Sequence, residues 1–156
     1  MPRQRPVTEI MTASPITVGP DTSVADAARL LAAHSIGGAP VVDPDGRLLG
    51  LLDDTDLIVS EARLHAPTTI ELFGAYLTLP GQSHRYADEV RHALAAVVAD
   101  VMDTDPPAVH TDATVEDVAT IIVDRNVSRV PVVDADARVV GIVSRGDIVR
   151  AMASDE

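Results

Sequence analysis

Ser144 and Asp147 are the two residues whose types and spacing most directly suggest chemistry. They stand in Gly141-Ile142-Val143-Ser144-Arg145-Gly146-Asp147, where β-branched residues after a glycine read as the end of a buried strand. A helix starting at Ser144 would offer free backbone N–H groups, the positive end of a helix dipole, a hydroxyl and a carboxylate. The first three suit a phosphate, and the carboxylate suits a ribose diol. Ser-x-x-Asp is equally the pattern of an ordinary helix cap, so the heptapeptide alone leaves both readings open.

Other polar groups are less specific. Asp43-x-Asp45-Gly46 has the start of a calcium loop but lacks its third acidic ligand and its distant glutamate, and it reads as a hairpin turn. Asp53, Asp54 and Asp56 suit either a helix start or a magnesium site completed by phosphate oxygens. His65, His84 and His92 lack paired metal-ligand spacing and read as surface or packing residues. No Ser/His/Asp order, zinc set or glycine-rich phosphate loop is present, so no enzyme activity, required cofactor or metal is expected.

The heptapeptide has a second copy, Gly50-Leu51-Leu52-Asp53-Asp54-Thr55-Asp56, at an offset of 91 residues. The same offset carries Met11 to Met102, Pro15 to Pro106, Asp21 to Asp112 and Val24 to Val115. It continues through Pro40-Val41-Val42-Asp43 onto Pro131-Val132-Val133-Asp134. Residues 8–60 and 99–151 align without a gap, with about 15 of roughly 53 positions identical, which marks an internal duplication.

Two repeats of Met…Pro…Val…(helix)…Pro-Val-Val-Asp…Gly-h-h-Ser-x-x-Asp, in this order and spacing, resemble a tandem pair of cystathionine-β-synthase (CBS) domains over about two thirds of the chain. The resemblance implies an α/β (α+β) fold of two β-α-β-β-α units packed as a pseudo-two-fold pair, joined by a helical segment. It places the first repeat at 8–60, the connection at 61–98 and the second repeat at 99–153. It also implies regulation through clefts that bind adenine nucleotides: AMP, ADP, ATP or S-adenosylmethionine, with Mg as an accessory ion.

By this resemblance Asp147 holds the ribose and Ser144 a phosphate, with Arg129 and Arg145 as further phosphate partners. The backbone at Ala108-Val109 and Val130-Pro131 encloses the adenine. Asp56, Asp53, Thr17, Val18, Ala39 and Pro40 form a weaker second site. Asp53 stands where the second repeat has Ser144, so a carboxylate faces the phosphate there and the two clefts are expected to be unequal. A homodimer and an effector protein acted on in trans complete the expectation. The alternative is a ligand-independent dimeric scaffold.

Composition agrees with a small folded module. The chain has 156 residues, 46% hydrophobic, with one Phe, two Tyr and no Trp, so its core must be aliphatic. It has no cysteine, and a net charge of −12 argues against general nucleic-acid binding. All twelve basic residues are Arg, so any side-chain cation that grips phosphate is a guanidinium or an imidazole. No signal peptide or membrane span is read, and the cytoplasm is the expected compartment.

The elements that must position these residues follow from periodicity. Residues 1–7 read as a flexible arm, Thr8-Glu9-Ile10-Met11 as a turn and Ile16-Thr17-Val18 as a short strand. Asp21, Thr22 and Ser23 offer caps for a helix bearing Val24, Ala27, Ala28 and Leu31, which the pair Gly37-Gly38 ends. Residues 39–43 and 47–52 make a hairpin around Pro44-Asp45-Gly46, and a helix begins near Asp53. The second repeat mirrors this with Ala108-Val109-His110, a helix bearing Val115, Val118, Ala119 and Ile122, a hairpin of 130–134 and 138–143, and a last helix over 145–152. Between the repeats, Ile70, Phe73 and Leu77 fall on one helical face, which either packs on the repeats or meets a second chain. Leu79-Pro80-Gly81 breaks that segment, and Ser83 caps a second helix to about Val98.

Overall fold

The computed structural model describes residues 4–64, 69–72, 75–78 and 97–154. In the first repeat, β1 (Thr12–Ala13) precedes helix α1 (Val24–Ala33), the hairpin β2 (Gly38–Val42) and β3 (Leu48–Asp53), and helix α2 (Asp54–Leu64). The second repeat has β6 (Val109–His110), α3 (Val115–Asp124), β7 (Arg129–Val133), β8 (Val139–Ser144) and α4 (Arg145–Ala153). Equivalent caps start equivalent helices. Ser23 accepts the amide of Asp26 before α1, and Thr114 with Asp117 forms a reciprocal capping box before α3.

Each hairpin turns on an aspartate. Asp43 Oδ1 accepts the amides of Asp45 and Arg47, both at 2.9 Å, and Asp134 does the same for Asp136 and Arg138. That is the turn read from the sequence, with the first carboxylate occupied by backbone amides. The two tips meet where Arg47 bridges Arg138, residues equivalent under the offset of 91, so the pseudo-two-fold axis passes between them.

The lead-in segment of each repeat crosses to the other one. β1 pairs with β8 in a four-stranded sheet of order β1-β8-β7-β6, with β6 parallel to β7. Asp103 makes the reciprocal bridge to Leu51 on β3, and Val18 pairs with Val41 as β6 pairs with β7. Val7 joins the second repeat's core of Val109, Val118, Ile122, Val130, Val132 and Val143. Val98 joins the first repeat's core of Val18, Ala27, Leu31, Ala39, Val41 and Leu52. Both valines are fully buried.

Three sequence expectations are corrected. The arm at 1–7 is not loose over its described residues, because the Val7 amide donates to Ala113 O and Arg5 O accepts from Val115. The connection is not helical at Thr69–Leu72 (β4) and Ala75–Thr78 (β5), which pair antiparallel with Ile70 opposite Leu77. Thr69-Ile70-Glu71-Leu72 alternates polar and apolar residues, and that period of two prevailed over the looser helical spacing. Phe73, Tyr86, the histidines of the connection and the break at Pro80 lie outside the described residues.

Gly37-Gly38 does not end α1. Ser35 does so, with φ of 51°, as Asn126 with φ of 50° does after α3. The two glycines instead accommodate Arg129: a Cβ on Gly37 would stand 2.6 Å from Nη2 of Arg129, and one on Gly38 would stand 2.6 Å from its Nη1.

Candidate functional site

The crossing of the arms builds a cavity of about 400 Å³ between the repeats. Thr12, Ser14, Pro15 and Ile16 line it from the lead-in segment of the first repeat, and residues 35–38 with Pro40 line it from the end of α1 and β2. Arg129, Ile142, Ser144, Asp147 and Arg150 close it from the second repeat. Its size and its mixture of apolar wall with a few polar groups suit a small ligand.

Ser144 ends β8 and caps α4. Its Oγ accepts the Asp147 amide at 3.3 Å, and Asp147 Oδ2 accepts the Ser144 amide at 2.8 Å. The capping reading of Ser-x-x-Asp is therefore realised, and the same two residues also face the cavity. The second oxygen of Asp147, Oδ1, is ion-paired with Arg150. A carboxylate oxygen has two lone pairs, so each oxygen can still take a further donor.

Arg129 spans the repeats. Its Nη1 donates to Asp53 Oδ2 at 2.8 Å and to Gly37 O at 2.9 Å. The pair is largely shielded, with side-chain exposures of 15% and 24%. Burial pushes the Asp53 carboxyl up, but hydrogen bonds from Asp54 and Thr55 and the charge of Arg129 outweigh it and hold Asp53 below its ordinary value. Asp54 is raised by the hydrogen bond it shares with Asp53, with burial adding to it. Asp56 is raised chiefly by burial and further by Asp53, Asp103 and Asp54, although its Oδ2 accepts the Asp53 amide at 2.9 Å.

Of the residues expected at the main site, Ser144, Asp147 and Arg129 come together in one cavity; Arg145, Ala108, Val109, Val130 and Pro131 do not line it. Arg145 turns away to donate through Nε to Val127 O at 3.1 Å. Val109 and Val130 lie in the second repeat's core, Pro131 is buried, and Ala108 is exposed. In the second set, Pro40 lines the Asp147 cavity, Val18 and Ala39 are core residues and Thr17 is exposed. Asp53 and Asp56 stay at the start of α2, bonded as above.

The difference between the expected residues and the cavity lining has one cause. The sequence reading drew each cleft from the strand and carboxylate of a single repeat, whereas the crossing arms pair the carboxylate of one repeat with the lead-in segment of the other. Thr12, Ser14, Pro15, Ile16 and Arg150 were missed for this reason. Duplication alone gives no sign of which copy a lead-in segment joins. Among the described residues no three carboxylates or histidines gather as a metal site, and no helix is long and apolar enough to cross a membrane.

Comparison with known proteins agrees with this architecture. Protein MJ1426 of Methanocaldococcus jannaschii is 31% identical over 144 residues, covering 88% of this chain and 86% of that protein. The chloroplastic CBS domain-containing protein CBSX2 of Arabidopsis thaliana is 32% identical over 135 residues; the match covers 86% of this chain and 57% of CBSX2. The crystal structure of CBSX2 in complex with AMP superposes with a TM-score of 0.75 at 29% identity, covering 97% of this chain and 98% of that one. The CBS domain pair of protein MJ0100, in complex with 5′-methylthioadenosine and S-adenosyl-L-methionine, gives 0.74 at 27% identity with the same coverage. A family model, CBS domain, matches residues 7–62 and 98–154. The chain belongs to the CBS-domain family and carries two repeats as a CBS pair.

Proposed function

We propose that the protein is a regulatory module that binds an adenine nucleotide in the cavity bearing Asp147 and passes its occupancy to a partner in trans. The observation that carries this reading is the convergence of Ser144, Asp147 and Arg129 on one cavity between the repeats. AMP in CBSX2 and the adenosyl ligands of the MJ0100 pair support the ligand class. Asp147 takes the ribose hydroxyls, and the α4 amides with Ser144 face the phosphate. Pro15, Ile16, Pro40 and Ile142 offer apolar wall for the base. Binding alters a partner contact only insofar as the ligand favours one conformation over another.

The test is calorimetric titration with AMP, ADP, ATP and S-adenosylmethionine, on the wild type and on Asp147→Asn. The amide keeps an oxygen for the Ser144 N–H and removes the charge, so the cap persists while the ribose bond weakens. Affinity should fall about ten- to hundredfold, the equivalent of ~1.5–3 kcal/mol for a bond to a charged group. Equal affinity in the two proteins would defeat the ribose assignment.

The module works as a homodimer in this reading. Ile58 on α2 and Val149 on α4 occupy equivalent positions, and both are nearly two-thirds exposed, with exposed Val59 next to Ile58 and exposed Met152 three residues after Val149. Two such faces suit a two-fold contact between chains. Light scattering at micromolar concentration should give a dimer mass for the wild type and a monomer mass for Ile58→Glu/Val149→Glu. A monomeric wild type would contradict it.

A further inference from the structure

Arg129 lines the cavity as one of its two arginines, yet it is already engaged. Its Nη1 is shared between a carboxylate and a carbonyl of the first repeat, at 2.8 and 2.9 Å. The other cavity arginine, Arg150, is paired with Asp147. Each positive charge at the cavity is thus matched by a negative one before any ligand arrives. The Asp53–Arg129 pair is also more shielded than Arg150, whose side chain is 73% exposed, so solvent screens it less. An anion reaching Arg129 must share it with Asp53 or displace Asp53, and Asp53 repels the anion as it approaches.

Gly37 and Gly38 hold the guanidinium in this place. Their missing side chains leave the ground on which it rests, and Gly37 O is one of its acceptors. The second repeat has Ser128 and Arg129 at the equivalent positions, so the arrangement occurs once, on one side of the pseudo-two-fold axis.

Resting on the adenine-nucleotide reading, we infer that Asp53 is a specificity-determining residue for the Asp147 cavity: by holding Arg129 it sets how strongly the cavity prefers phosphorylated over unphosphorylated adenosine ligands. Asp53 belongs to the first repeat and acts on a ligand held by the second. A bound phosphate draws Arg129 from Asp53 and loosens the tie between the repeats, so occupancy is felt at the start of α2.

The experiment is calorimetry with AMP and adenosine on the wild type, Asp53→Asn, Arg129→Gln and the double variant Asp53→Asn/Arg129→Gln. Asparagine retains a carbonyl oxygen for the Thr55 bonds that Asp53 Oδ1 accepts. Asp53→Ser, which places at this position the residue found at 144, serves if the asparagine variant does not fold. AMP affinity should rise about tenfold in Asp53→Asn, with adenosine changed less than twofold. The gain should shrink to below threefold when Arg129 is glutamine.

Equal effects on AMP and adenosine would overturn the inference, as would an undiminished gain without Arg129. So would a loss of AMP affinity in a folded Asp53 variant, or failure of both Asp53 variants to fold. If the wild type binds both ligands but ignores changes at Asp53, this inference fails and the nucleotide reading stands. If neither ligand binds the wild type, the nucleotide reading itself fails.

Discussion

Asp147 performs two tasks with one carboxylate, capping α4 through Ser144 and facing the cavity. Its counterpart Asp56 has the capping half of that arrangement, accepting the Asp53 amide, but sits among Asp53, Asp54 and Asp103. Burial and these neighbours raise its carboxyl above the ordinary value. A raised carboxyl binds its proton more tightly in the folded state, so the folded protein loses stability as pH rises through the interval between the unfolded and folded values. Asp56→Asn keeps an oxygen for the amide and removes the charge. It should raise the melting temperature at neutral pH, and the advantage should fade as acid protonates Asp56 in the wild type. Asp53 runs the other way: lowered in the fold, its contribution is present at neutral pH and is lost as pH falls through its folded value. Calorimetric melts of both proteins from neutral pH into the acid range check this, and a destabilised Asp56→Asn at neutral pH would refute it. At this scale the sequence was legible where one side chain serves its own turn, as at Ser23, Asp43 and Ser144. The Asp53–Arg129 pair was not legible, because its partners lie 76 residues apart and meet only once the repeats pack.

The elements were legible wherever a single period governs a stretch. The α1 and α3 stripes and the two hairpins fall close to where their apolar spacing and turn residues place them. Both hairpins even share a register shift between their adjacent valines, at Val41/Val42 and Val132/Val133, as duplicates should. Legibility ended where two patterns competed or where a residue type has two uses. Ile70, Phe73 and Leu77 fit a helix by spacing, while Thr69–Leu72 alternates as a strand, and the strand forms. Gly37-Gly38 looked like a helix stop, since glycine commonly is one. A Cβ at Gly38 would also lie 2.6 Å from Leu52 O, a backbone atom that cannot swing aside, so this glycine permits a close approach within the hairpin as well as Arg129. Neither neighbour can be read from local sequence.

At the scale of the molecule the exchange of lead-in segments makes the repeats interdependent. Val7 belongs by sequence to the first half but is buried in the second half's core, and Val98 makes the reverse exchange. Backbone bonds accompany both: Val7 N to Ala113 O at 2.9 Å, and Val98 N to Thr22 O at 2.8 Å. Burying one valine contributes ~1.5–3 kcal/mol. Each half is also near the size below which a single core is marginal, at roughly 60 residues. Separating the halves therefore removes from each a buried valine and the strand partner at one sheet edge, out of a stability of only ~5–15 kcal/mol for an ordinary domain. Fragments 1–80 and 81–156, made separately, should each lack a cooperative thermal transition. Mixed at equal concentration they should recover one, with a midpoint that rises with concentration because association is coupled to folding. Circular dichroism melts over a dilution series measure this directly. Cooperative melting of fragment 81–156 alone, near the midpoint of the intact chain, would mean that Val7 and β1 are dispensable to the second repeat. Thr12 and Ser14 reach the cavity on the same segment that carries Val7. A cavity assembled by the exchange should accordingly form only in the mixture, so AMP should raise the midpoint of the mixed fragments while leaving either fragment unaffected.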